Sequence, residues 1–136
     1  MIEVFCDTLY FKALADRHDQ YHEQALELTD SLSTTTLVST HEVFVESLNF
    51  LSGYGPALRA AITALLEGFC SQSNAVLQPL SQDLFHQGWQ LYRARLDKSY
   101  SLTDCISMTV MEQRGIAQVL THDSHFRQEG FVLMLK

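Results

Sequence analysis

Five short apolar runs, at residues 2–6, 36–39, 75–78, 117–120 and 132–135, punctuate this chain, and turn-forming or polar residues close each of them. All five are too short to stand as helices and read as strands. The stretches between them carry helical spacing instead. Residues 9–15 form a first amphipathic segment, and Asp19 can cap a second in which Tyr21, Ala25, Leu28 and Leu32 recur three and four apart. Ser39 or Thr40 can cap a helix that runs through Leu51, which the Gly53-Tyr54-Gly55-Pro56 break ends. Pro56 then opens a helix over 57–70 that sets Leu58, Ile62, Leu65, Leu66 and Phe69 on one face. Ser81 caps 82–96, and Thr103 caps a further helix that stops near Gly115.

Strands that alternate with helices need crossover connections, which pack right-handed onto a parallel sheet covered on both faces. The expected class is α/β, in which ligands bind beyond the carboxyl ends of the strands. Two acids fall there: Asp7 follows the first run and Asp123 the fourth. Asp104 lies in the first turn of the helix that Thr103 caps, where the helix dipole favours a carboxylate. Glu46 sits in mid-helix between Val43 and Phe50, and Glu42, one turn earlier, shares its face and could serve in its place. Taken singly, these acids also suit turns and helix starts. Phe44, Phe50 and Leu51 read as core.

Brought together, four such acids have a chemical requirement. Two carboxylates about 4 Å apart repel by roughly 4 kcal/mol at an effective dielectric near 20, so a cluster needs protons or a cation. An all-oxygen donor set suits Mg²⁺ or Mn²⁺, and the natural reaction of such a site is phosphodiester hydrolysis. The pairs His18/His22 and His122/His125 lack the HExxH or Cys–His companions of a transition-metal site. A phosphoreceiver would need an acceptor Asp after the third strand and a Lys after the fifth. A haloacid-dehalogenase-type site would need Asp-x-Asp where this chain has Asp7-Thr8-Leu9.

Composition narrows the setting. The 136 residues, 46% of them hydrophobic, fit one domain spanning 1–136 that fills its own core. Nine basic against sixteen acidic residues give a net charge of −7, so a polyanion would meet local bases or bound ions rather than a broad positive field. Lys12, Arg17, Arg93, Arg95 and Lys98 are isolated candidates for backbone contacts. Cys6, Cys70 and Cys105 show no metal-type spacing and read as buried thiols in a reducing, cytoplasmic setting. The first residues lack a basic start, and no apolar run is long enough for a membrane span.

Four pieces stand in order: the first strand with Asp7-Thr8, Val38-Ser39-Thr40 running to Val45-Glu46-Ser47-Leu48-Asn49, Ser101-Leu102-Thr103-Asp104-Cys105, and Leu120-Thr121-His122-Asp123-Ser124-His125-Phe126. Together they resemble PIN-domain ribonucleases, in particular the VapC-type toxins of type II toxin–antitoxin systems. The ending from Phe126 to Val132 fits as well. The resemblance implies a three-layer α/β/α fold around a parallel sheet of roughly five strands. It also implies a Mg²⁺ or Mn²⁺ site and cleavage of single-stranded or structured RNA that leaves a 3′-hydroxyl.

Carried onto this chain, the resemblance makes Asp7 and Asp104 the main metal ligands. Glu46 ligates through water or acts on the attacking water, and Asp123 completes the site directly or through a second ion. Thr8 and Thr121 would orient neighbouring carboxylates. His122, Arg127 and also His125 are candidate phosphate contacts; His122 departs from the small or apolar residue usual before that acid. An antitoxin with a basic segment and a homodimer formed through the helical pair at 42–70, with Phe44, Tyr54, Leu58 and Leu65, are the implied partners. The alternative is a catalytically silent PIN module that binds RNA or a protein.

Overall fold

The computed structural model describes residues 2–136. In chain order the elements are β1 (Glu3–Cys6), α1 (Thr8–Ala15), α2 (His22–Ser31), β2 (Thr36–Thr40), α3 (His41–Phe50) and α4 (Pro56–Ser71). Then come β3 (Ala75–Gln78), α5 (Gln82–Ala94), α6 (Leu102–Arg114), β4 (Gln118–Leu120), α7 (Ser124–Gln128) and β5 (Val132–Leu133). All five expected strands are present and all pair in parallel, in the order β3-β2-β1-β4-β5.

That order places the site. The chain steps outward from β1 to β2 to β3, then crosses back to lay β4 on the other side of β1. The direction of winding therefore reverses between β1 and β4, and a crevice opens at their carboxyl ends. Register pairs Phe5 with Val119 and Cys6 with Leu120, so Asp7 and Thr121 leave the sheet side by side. The Asp7 amide still reaches the Leu120 carbonyl at 3.4 Å.

The central strands are buried on both faces, which is why they read as continuous apolar runs: Val4, Phe5, Cys6, Leu37, Val38, Val119 and Leu120 are each at most 3% exposed. Helices α1 to α4 pack among themselves, α5 packs along α6, and α6 meets both α7 and α3. Phe11, Phe44 and Phe69 meet edge to face between α1, α3 and α4. The α5–α6 approach is close because Gly88 sits against Ile106, leaving no room for a β-carbon.

Several boundaries differ from expectation. Ser101, not Thr103, caps α6, and Asp104 returns the bond to the Ser101 amide in a reciprocal capping box. Asp19 does not begin α2, whose cap is Tyr21; its carboxylate accepts the Tyr21 amide and holds Lys12 at 2.6 Å. Thr40 is the cap of α3, accepting from the Val43 amide. The five-residue helix α7 is an addition to the expected elements. Cys6 and Cys105 are buried free thiols as expected, but Cys70 is exposed, because it falls on the outer side of α4. Among the described residues no helix is long and apolar enough to cross a membrane.

Candidate active site

At the crevice between β1 and β4, a cleft of about 290 Å³ is lined by Asp7, Thr8, Leu9, Glu46, Phe50, Ser99, Ser101, Asp104, Asp123 and His125. All four acids singled out in the sequence are among them. Each arrives from a different element end or helix face. Asp7 ends β1 and holds the cap position of α1, yet its side chain makes no capping bond. Its Oδ2 instead accepts the Thr121 hydroxyl at 2.9 Å. Its Oδ1 is buried with no partner.

Glu46 projects from the middle of α3 toward α1, where Thr8 Oγ1 donates to its Oε1. Glu42 points elsewhere. It is absent from the cleft lining and lines a neighbouring recess with His41, Leu80 and Glu46, and its Oε1 is buried and unpartnered. Asp104, at the third position of α6, accepts the Ser101 amide at 3.1 Å through Oδ2. Asp123 caps α7 by accepting the His125 amide at 3.0 Å, and its own amide donates to Thr121 Oγ1 at 3.2 Å. The one Thr121 hydroxyl therefore ties the ends of β1 and β4 together.

Electrostatics follow from crowding and burial at the crevice. Burial pushes the Asp7 carboxyl up to about 8, and the nearby Asp104 adds to the effect, opposed by the Thr8 amide and the Thr121 hydroxyl. Burial also raises Glu46 and Asp104; Thr8 pulls Glu46 back, and the Ser101 amide does the same for Asp104. Among carboxylates, such shifts mark a cluster that lacks positive charge. No Lys or Arg lines the cleft. Lys12 is paired with Asp19, Arg95 grips Glu129 through two bonds of 3.0 and 2.9 Å, and Arg114 grips Glu3.

Three features depart from the sequence reading. His122 does not line the cleft; it stacks on Tyr21 with ring centroids 4.0 Å apart, and burial lowers its basicity. Arg127 is exposed on α7, also outside the cleft lining. Phe50 is not core: it is 44% exposed, lines the cleft and stacks on Tyr54, while Leu51 beside it is fully buried. His125, expected only as a phosphate contact, has its Nδ1 3.2 Å from Asp104 Oδ2 and 3.3 Å from Asp123 Oδ1. Ser101 also lines the cleft, and the signal that could have found it is the Ser-x-x-Asp pattern from 101 to 104, a sequence signature of a capping box.

The donor chemistry fits a divalent cation. An orphaned, fully buried carboxylate oxygen on Asp7 needs a proton or a positive ion, and Asp104, Asp123 and His125 each bring one donor atom within 4.8 Å of the others.

Comparison with known proteins identifies the family. The family model described as PIN domain matches residues 4–131. The chain belongs to the PIN-domain family. Within it, the chain is 30% identical over 133 residues to the 23S rRNA-specific endonuclease VapC20 of Mycobacterium tuberculosis, covering 95% of each protein. The match makes the chain a homologue of VapC-type PIN-domain ribonucleases. The crystal structure of VapC20, described as a Sarcin-Ricin loop cleaving toxin, superposes with a TM-score of 0.83 at 25% identity, over 95% of this chain and 96% of that one. FitAcB from Neisseria gonorrhoeae shares the fold, with a TM-score of 0.67 at 13% identity over 96% and 95% of the two chains.

Proposed function

We propose that this chain, acting as a single PIN domain, is a Mg²⁺- or Mn²⁺-dependent endoribonuclease of VapC type that cuts a loop in structured RNA. The observation that carries the reading is the convergence of Asp7, Glu46, Asp104 and Asp123 on one crevice with Asp7 Oδ1 buried and unpartnered. Asp7, Asp104 and Asp123 would hold the metal, with Glu46 beside them. When bound, such an ion supplies the positive charge that phosphodiester hydrolysis needs and makes water a usable nucleophile near neutral pH.

The chain's own residues do the rest. Thr121 fixes the Asp7 rotamer, and the reciprocal Ser101–Asp104 cap fixes Asp104. Thr8 holds one oxygen of Glu46 and leaves the other to take a proton from the attacking water, a role for which its raised basicity is suited. Phe50 at the rim offers a flat apolar wall next to the reacting phosphate. With net charge −7 and its buried-edge cations already paired, the protein makes few phosphate contacts, so selectivity rests on loop shape and unstacked bases.

VapC20 supports ribosomal RNA as the substrate class, since it is described as specific for 23S rRNA. A basic antitoxin segment is the partner that this acidic surface suits, and a homodimer through α3 and α4 is the proposed assembly. The test is cleavage of ribosomal RNA with added Mg²⁺ or Mn²⁺, in parallel with EDTA and with Asp104→Asn. Metal-dependent cuts ending in a 3′-hydroxyl, lost in the variant, are expected. RNA binding without any cleavage would favour the silent module, and equal cleavage by parent and Asp104→Asn would refute the four-carboxylate site.

A further inference from the structure

We propose that His125 is itself a metal ligand, forming with Asp104 and Asp123 a mixed nitrogen–oxygen face that makes this site prefer Mn²⁺ over Mg²⁺. The inference rests on the metal-dependent reading above and names which ion and which donors.

The geometry is that of three ligands around one point. His125 Nδ1 lies 3.2 Å from Asp104 Oδ2 and 3.3 Å from Asp123 Oδ1. Donor atoms that sit about 2.1 Å from one ion in adjacent octahedral positions are separated by about 3 Å. Nδ1 hydrogen-bonds Asp104 Oδ2 and lies in ion-pair range of Asp123 Oδ1; as a neutral imidazole it would offer its lone pair to an ion held by the same two carboxylates.

The imidazole is held there by structure rather than by chance. Asp123 caps α7 by accepting the His125 amide, so the ring starts from a backbone position fixed by one of its own co-ligands. Tyr100 lies against the ring with centroids 5.5 Å apart. The Tyr100 hydroxyl donates to Glu129 at 3.0 Å, and Arg95 clamps Glu129. Outer groups of this kind set the orientation of metal-ligating side chains.

An independent feature points to a cation in the same cleft. Asp7 Oδ1 is buried without a partner, and Asp7 lines the cleft with the other three. The nitrogen then decides the ion. Mg²⁺ favours oxygen donors and retains water, whereas imidazole suits first-row transition ions, of which Mn²⁺ also accepts carboxylates. A cleft with several carboxylates and one imidazole matches Mn²⁺ better than Mg²⁺.

The test reads the ligand directly. The full chain, freed of metal, is titrated with MnCl₂ while free Mn²⁺ is followed by electron paramagnetic resonance, and the bound ion is probed by electron spin-echo modulation from ¹⁴N. The parent is expected to show modulation from a coordinated imidazole. His125→Ala should abolish it and weaken Mn²⁺ binding about 10- to 100-fold, with a smaller loss for competing Mg²⁺. His125→Asp should restore binding without nitrogen modulation and move the preference toward Mg²⁺. Saturable Mn²⁺ binding by the parent with no ¹⁴N modulation would overturn the proposal while leaving the metal-dependent nuclease intact, as would an unchanged Mn²⁺-to-Mg²⁺ ratio in His125→Ala. No saturable binding of either ion, together with RNA cleavage that survives EDTA, would overturn both.

Discussion

Replacing Asp7 with Asn should abolish cleavage and, in the metal-free protein at alkaline pH, make the fold more stable. In the native state the Asp7 carboxyl is pushed from 3.8 up to about 8, chiefly by burial. An acid whose native pKa is raised binds its proton more tightly folded than unfolded, so stability falls as pH climbs through that window. At about 1.4 kcal/mol for each tenfold change in proton activity, the interval from pH 5 to pH 8 costs the parent at most about 4 kcal/mol. Asn carries no such dependence. Its carbonyl can accept the Thr121 hydroxyl that Oδ2 now accepts, while its amide, lying where Oδ1 is unpartnered, costs about 1–3 kcal/mol at every pH if it finds no acceptor. The variant should therefore be equal to or less stable than the parent at pH 5 and more stable at pH 8. Urea unfolding of EDTA-treated protein, followed by circular dichroism at the two pH values, measures this. Adding Mn²⁺ at pH 8 should then stabilise the parent far more than the variant. A parent-to-variant difference that is the same at pH 5 and pH 8 would refute the buried-charge argument.

Glu46→Gln should lower kcat/KM for RNA by about 100-fold or more, in the range of a lost general base. Glu42→Gln should leave cleavage intact and raise the melting temperature, because it neutralises a buried oxygen that has no partner; the reverse pattern would exchange their roles. Gly88→Ala places a β-carbon 2.5 Å from Ile106 Cγ1 and 3.2 Å from its Cα. The overpacking, about 1–3 kcal/mol, outweighs the roughly 1 kcal/mol gained in helix propensity. Gly68→Ala in α4 meets nothing within 4 Å and should stabilise by about 1 kcal/mol, so thermal melts of the pair should move in opposite directions.

Strand positions were legible in the sequence because strands buried on both faces must be apolar at consecutive residues, and Val4, Phe5 and Cys6 or Leu37 and Val38 can satisfy that only in a covered parallel sheet. The acids at strand ends were legible for the same reason, since the end of an apolar run marks the end of a strand. Choosing between Glu46 and Glu42 was not. Both lie on one helical stripe, and only the position of Thr8 on α1 decides which meets the cleft. Phe50 is not distinguishable in the sequence because an apolar residue has the same letter at a rim as in a core; it ends α3 and is half exposed. Helix α7 is five residues long, too short to show a period, and the closeness of His125 to Asp104 exists only once that turn forms. Thr103 lost the cap to Ser101 because the reciprocal bond from Asp104 satisfies two backbone donors at once.

The caps also explain how four mutually repelling acids stay in place. Asp7 stands at the cap of α1, Asp104 in the first turn of α6 and Asp123 at the cap of α7, so the positive ends of helices face the crevice and offset part of the repulsion. In every case one carboxylate oxygen takes a fixing bond from the chain itself: Thr121 for Asp7, Thr8 for Glu46, the Ser101 amide for Asp104 and the His125 amide for Asp123. Helix ends and hydroxyls thus set each rotamer, but they do not discharge the cluster, because Asp7, Glu46 and Asp104 are all still shifted upward. What the fold leaves unmet is positive charge at the centre. A site that is positioned by its own backbone and completed only by a cation can bind metal without rearranging, so adding the ion should raise stability without changing the helical circular dichroism.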